Sequence, residues 1–228
     1  MGTARRVWLI LLVIALMGVA FVGGYATRRA TSGAPSTTVP RTSTTSDATW
    51  MALWPEPGTL TRYAAPRDVA LAFARRVLTM ASPVAQAFEQ GDSRSGEVPV
   101  QSSPTGPETL VLVRQLANDS SWWVLGAVAS DIQIDAPQAL AAVTSPLRVS
   151  GRSTAFEAVV NLALYQDGTT VPLARGTAMG GSMGQMAPYA TNLHFATASS
   201  PYGTLVVFTR SAKDGSVLEA SAIRVRFA

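Results

Sequence analysis

Short apolar runs alternate with polar residues through the last hundred residues of the chain, and turn-forming residues separate the runs. A period of two is the pattern of half-buried strands. We therefore predict seven strands, at residues 132–135, 147–150, 156–165, 170–178, 191–196, 205–211 and 217–227. Seven short strands in about 95 residues are typical of an immunoglobulin-like β-sandwich, which we assign to residues 131–228.

Two tripeptides in this region are typical of hairpin turns, Gln166-Asp167-Gly168 and Lys213-Asp214-Gly215. The second turn leads into the last predicted strand, which alternation divides into two faces. One face holds Glu219, Ser221, Ile223, Val225 and Phe227. The other face holds Ala220, Ala222, Arg224 and Arg226.

A helical period is found only upstream, in residues 48–130. From Pro66, which suits the first position of a helix, an apolar stripe runs through Val69, Phe73, Val77 and Met80. Ser82-Pro83 ends or kinks this helix, with a short continuation over 84–88. A hairpin follows at 109–128. These elements predict a small α+β domain, a helix on a curved antiparallel sheet, whose element order is similar to that of nuclear-transport-factor-2-like cones.

The N-terminal residues predict a membrane anchor and a stalk. Residues 7–26 carry no charge, and about 20 residues at ~1.5 Å rise cross a hydrocarbon core of ~30 Å. We predict a single transmembrane helix there, with residues 1–6 in the cytoplasm and the rest extracytoplasmic. A cleaved signal peptide with Gly24-Tyr25-Ala26 at its end is the alternative. Residues 27–47 are rich in Thr, Ser and Pro and predict a disordered stalk.

The charge distribution argues against nucleic acid as a partner. The chain carries 18 basic and 14 acidic residues, but five arginines and no acid precede Asp47. The remainder has a net charge of −1 and no basic excess to neutralise phosphates. The 228 residues include no cysteine, which excludes disulfides, thiolate catalysis and cysteine zinc sites.

The C-terminal region resembles a known family, the immunoglobulin-like domain of bacterial spore germination proteins. The resemblance covers about residues 130–228. The residues that carry it are Ile134-Asp135-Ala136-Pro137, Ser145-Pro146-Leu147-Arg148-Val149-Ser150-Gly151, Phe156-Glu157-Ala158, Gly203-Thr204-Leu205 and Ser211-Ala212-Lys213-Asp214-Gly215. The resemblance implies an extracytoplasmic, non-enzymatic module and supplies no functional residues.

The predicted sandwich contains two candidate sites, Phe156-Glu157 and segment 176–188. We expect Phe156 to fill the sandwich core and Glu157 to face water or cap a turn, because acid–base work needs a second positioned group. The Gly- and Met-rich segment 176–188 does not open a helix and so is no phosphate loop. Its methionines (Met179, Met183 and Met186) offer thioether ligands for Cu(I), with His194 as a fourth. The preferred interpretation is a flexible loop whose methionines pack on the domain or on a partner.

The other candidate residues have structural interpretations as well. His194, the only histidine, is expected on the polar face of a strand, and no Gly-x-Ser-x-Gly motif accompanies it for a hydrolase triad. Trp122 and Trp123 alternate across a strand, so one is expected to face the core. Asp131 and Asp135 supply too few oxygen donors for Ca²⁺.

We therefore predict no catalytic, cofactor-binding or metal site and no cofactor. The predicted function is a membrane-anchored, extracytoplasmic binding or scaffolding module of the bacterial cell envelope, with an envelope protein or the cell wall as partner. The alternative is an envelope hydrolase with a pocket in the α+β domain. A deep cavity lined by Asp or Glu together with Trp50, Trp54 or Trp122 would favour that alternative.

Overall fold

The computed structural model describes residues 48–116 and 120–228. The predicted cytoplasmic end (1–6), membrane span (7–26) and stalk (27–47) lie outside these residues. No helix in the part described is long and apolar enough to cross a membrane. That part holds one α-helix, α1 (Pro66–Arg76), and thirteen strands: β1 (Val84–Ala85), β2 (Glu89–Asp92), β3 (Ser95–Gln101), β4 (Glu108–Gln115), β5 (Trp122–Ala129), β6 (Ile132–Ala136), β7 (Ala142–Val143), β8 (Leu147–Ser153), β9 (Val159–Gln166), β10 (Ala174–Met179), β11 (Ala187–Leu193), β12 (Tyr202–Arg210) and β13 (Val217–Phe227).

The strands form one long sheet and one short sheet. The long sheet has the order β1-β3-β4-β5-β13-β12-β9-β10, with β2 paired to β3 and β7 to β13. The short sheet has the order β11-β8-β6. The short sheet and the β13-β12-β9-β10 part of the long sheet enclose one apolar core, as in an immunoglobulin-like sandwich. The fold is thus mostly β, with one helix.

Helix α1 begins at Pro66, as predicted, and buries Val69 and Phe73 against the long sheet. It ends at Arg76, before the predicted end at Ser82-Pro83, and Thr79, three residues further on, has a left-handed φ of 57°. The predicted helical continuation over 84–88 is wrong. Val84–Ala85 instead pairs with β3 as strand β1, and Pro83 disfavours the helical conformation for Ser82 just before it.

The long sheet has an apolar core on each of its faces. In β12, Leu205 and Val207 belong to the sandwich core, whereas Val206 and Phe208 belong to the core beneath α1. A strand that is buried on both faces has a continuous apolar run in place of alternation. The predicted α+β region and the predicted sandwich therefore share strands, through the β5–β13 pairing at Ala127 and Ala222. The division into domains at residue 130 stays a prediction.

The segment before α1 completes the joint between the two parts of the long sheet. Only one residue pair joins β5 to β13. At the start of β5, the same edge forms backbone hydrogen bonds with the segment before α1. Val124 N donates to Trp54 O at 2.6 Å, and Trp122 N donates to Tyr63 O at 2.9 Å. Residues 53–63 therefore lie beside the part of β5 that is not paired with β13.

Candidate functional site

One end of the sandwich carries three exposed apolar side chains, which we call the apolar tip: Phe156, Met179 and Met183. Their exposed fractions are 69%, 65% and 95%. The prediction that Phe156 fills the core is wrong. Phe156 lies in a 3-10 turn in which Glu157 and Ala158 have φ values of 59° and 61°, and β9 begins only at Val159. The left-handed residues change the direction of the chain. Phe156 therefore lies before the strand whose alternate residues face the core.

The two loops of the apolar tip are bonded to each other. Gly180 N donates to Ala158 O at 2.8 Å, Gly181 N donates to Ser153 O at 2.9 Å, and Ala155 N donates to Gly181 O at 3.0 Å. Gly181 is required at this point, because a Cβ there would overlap the Gln185 carbonyl oxygen. The Gly- and Met-rich segment is therefore fastened to the neighbouring turn, and two of its methionines face solvent.

The structure does not bring His194 to the methionines. Segment 176–188 leads into β11 at Ala187, whereas His194 follows the far end of that strand, at Leu193. At ~3.3 Å per residue the two ends of β11 are ~20 Å apart. The Cu(I) arrangement with His194 as fourth ligand is therefore not formed. Among the residues described there is also no cluster of three or more His, Cys, Asp or Glu that could hold a metal ion.

Neither tryptophan of the Trp122-Trp123 pair offers an exposed ring. Trp123 is buried, with the Arg62 guanidinium 5.1 Å from its ring centroid. Trp122 is half-buried and meets Phe88 edge-on, with ring centroids 5.2 Å apart. Asp135 is exposed on β6. It belongs to no group of three or more His, Cys, Asp or Glu residues, because the described part of the chain contains no such group.

A cleft of about 320 Å³ lies at the joint of the long sheet. We call it the junction cleft. Three segments and Thr204 of β12 line it: residues 53–61, the end of α1 with the residues after it (76–79), and the end of β9 with the turn after it (165–170). Trp54, Glu56 and Asp167 all lie on its wall, and the first of these is one of the tryptophans that sequence analysis named for a pocket.

A buried ion pair fixes one wall of the junction cleft. Arg224 is 1% exposed, and its two terminal nitrogens donate to the two carboxylate oxygens of Asp167 at 2.5 and 2.6 Å. Its Nε donates to Trp50 O at 3.1 Å, and its guanidinium lies 5.1 Å from the Tyr202 ring centroid. The pair was not predicted from the sequence, because its two residues are 57 positions apart and Asp167 is a common residue type in turns.

A buried acid lies on β13 and is not part of the cleft lining. Glu219 is 3% exposed, its Oε1 accepts from Thr209 Oγ1 at 3.4 Å, and its Oε2 has no partner among the residues described. Burial raises the pKa of Glu219 to about 7, and the negative charge of Asp131 adds to the rise. Alternation places Glu219 on one face of the last strand, but no sequence motif marks it as a functional residue.

The comparisons with known proteins bear on the sandwich. No curated protein and no solved structure matches this chain. The match is to a protein family, and it covers β6 to the turn before β13, including the Phe156 turn and the Gly- and Met-rich segment. Residues 131–216 match the family described as the immunoglobulin-like domain of bacterial spore germination, which confirms the resemblance stated from the sequence.

Proposed function

We propose that this protein is a non-catalytic binding module of the bacterial cell envelope, and that an envelope protein docks on the apolar tip. The observation that carries the proposal is the tip itself: three exposed apolar side chains on two loops that three backbone hydrogen bonds hold together. The similarity of residues 131–216 to an immunoglobulin-like domain supports a binding or scaffolding role.

The hydrogen bonds between its two loops preorganise the apolar tip. A surface that is already ordered loses little conformational entropy on binding, so more of its contact energy appears as affinity. Aromatic side chains are frequent anchors at interfaces, and methionines adapt to an irregular partner surface. The apolar tip combines both features, with one exposed phenylalanine and two exposed methionines.

Membrane attachment and an extracytoplasmic location belong to the proposal and rest on the predicted span at 7–26. Because the chain has no cysteine, a single introduced thiol is a unique reporter. We expect T105C, in an exposed loop, to react with a membrane-impermeant maleimide in intact cells. Labelling that appears only after the cells are lysed would contradict the proposed location.

The alternative is a hydrolase acting at the junction cleft, which does bring Trp54, Glu56 and Asp167 together. Acid–base catalysis needs a carboxyl group that can exchange a proton with substrate. Both oxygens of Asp167 accept from Arg224, and Glu56 Oε2 accepts from Gly168 N at 3.1 Å. These contacts favour a structural use of both carboxylates. A hydrolytic activity of the protein that E56Q abolishes would replace the binding proposal.

The docking surface is tested by proximity labelling in intact cells with three matched proteins: wild type, the double variant F156S/M183S, and V171S. Val171 is an exposed apolar residue away from the tip, so V171S controls for a general loss of surface hydrophobicity. All three should unfold at nearly the same temperature, since exposed substitutions change stability by about 0.5 kcal/mol or less. We expect a neighbour that wild type and V171S label and F156S/M183S loses. Identical neighbours for all three would refute docking at the tip.

A further inference from the structure

We propose that the junction cleft is a carbohydrate-binding site that takes one or two rings of a neutral glycan. The site is separate from the apolar tip, so this inference stands or falls independently of the proposed docking surface. It rests on the size, the lining chemistry, the charge balance and the backbone of the cleft.

The size and position of the junction cleft fit a small ligand. Its volume of about 320 Å³ is at the lower end of the ~300–1,000 Å³ that small-molecule sites occupy. Ligand sites also form preferentially where structural units meet. The cleft lies at such a joint, between the segment before α1 and the turn after β9.

The lining combines aromatic rings with hydroxyl groups. Trp54 and Tyr165 are half-buried residues on the cleft wall. An aromatic ring has an apolar face and a polar edge, which suits the C–H face of a sugar. Thr61, Thr79 and Thr170 are exposed on three different segments around the cleft. Each hydroxyl can donate and accept, as the hydroxyls of a sugar require.

The charges of the lining favour a neutral ligand over an anionic one. The Asp167 carboxylate is neutralised by Arg224, which leaves one cation, Arg76, and one anion, Glu56, on the wall. A phosphate or nucleotide site would need an excess of cations or of free backbone N–H groups. The cleft has one exposed guanidinium and one carboxylate instead.

The backbone at Thr79 supports a functional use of the cleft. Thr79 has a φ of 57°, three residues after the last residue of α1, which is a backbone conformation that favours glycine. A β-branched residue in this region is strained, and such strain is concentrated at functional sites. A threonine here keeps a hydroxyl on the cleft wall at the expense of backbone energy.

The test is titration calorimetry of the full chain in detergent with two neutral probes, chitotetraose and cellotetraose, and with inorganic phosphate. We expect saturable binding of at least one tetrasaccharide. T170V and T79G should each weaken it about fivefold, since one hydrogen bond contributes about 1 kcal/mol. F156S, at the tip, should leave it unchanged.

Each of the following results would overturn the inference: no saturable binding of either tetrasaccharide, binding that both threonine variants leave unchanged, phosphate binding tighter than that of the glycans, or loss of glycan binding in F156S. T79G removes backbone strain, and T170V alters an exposed loop residue, so unfolding is not expected to explain a loss of binding. A thermal melt of each variant checks that point. Loss of glycan binding in F156S as well would place the site at the tip.

Discussion

Glu219 offers a direct test of the packing where β12 and β13 meet. Its carboxyl group is 3% exposed, and one of its oxygens has no partner among the residues described. Burial raises its pKa from 4.5 to about 7, with the charge of Asp131 as a further cause. We expect E219Q, which cannot ionise and keeps nearly the same shape, to be more stable than wild type at alkaline pH.

The sign and size follow from proton linkage. Below pH 4.5 the group is protonated in the folded and the unfolded protein, so it has no effect on stability. Between pH 4.5 and about 7 the folded protein keeps a proton that the unfolded chain releases, so stability falls as the pH rises. Above pH 7 the loss is complete, and the pKa rise from 4.5 to about 7 corresponds to about 3 kcal/mol.

The assay is urea unfolding of the full-length protein in mild detergent, followed by tryptophan fluorescence between pH 4 and pH 8.5. E219Q and wild type should have similar unfolding free energies near pH 4, and E219Q should exceed wild type by up to about 3 kcal/mol at pH 8. E89Q, at an exposed strand position, is the matched control and should follow wild type. A constant difference between E219Q and wild type across the pH range would refute the reasoning.

Three further predictions follow from the same geometry. D167A leaves the buried Arg224 guanidinium without its partner, so urea unfolding should show a loss of about 3 kcal/mol; a loss below 1 kcal/mol would contradict this. T79G relieves a left-handed β-branched residue and should raise stability by about 1 kcal/mol, whereas lower stability would contradict it. G181A would overlap the Gln185 carbonyl and should lose about 2 kcal/mol together with labelling of the tip partner; wild-type behaviour would contradict it.

The parts of the fold that could be predicted from the sequence are those that short-range patterns determine. Alternation located seven of the eight strands from β6 to β13 and missed the two-residue β7. The last strand was predicted with the bounds that the structure has, Val217–Phe227. The start of α1 at Pro66 was equally clear. For α1, neighbouring residues in the chain also decide which face is buried, whereas β13 is buried on both faces.

The remaining features depend on contacts between distant residues. Alternation places Arg224 on one face of β13, but nothing in its own strand shows that Asp167 will meet it. Val206 and Phe208 alternate with residues of the sandwich core in β12, yet they are buried as well, in the core beneath α1. Phe156 looked like a core aromatic, because the left-handed turn that directs it outward is not visible in the pattern. The candidate sites are built from these long-range features, so the sequence alone could not predict them.

Photo-cross-linking in intact cells tests docking at the apolar tip most directly. Phe156 is replaced by the photoreactive residue p-benzoylphenylalanine, and the same residue is placed at Val171 as the matched exposed control. The account predicts one discrete adduct from position 156, formed on illumination, and none of the same mass from position 171. The absence of an adduct from position 156, or the same adduct from both positions, would contradict the account.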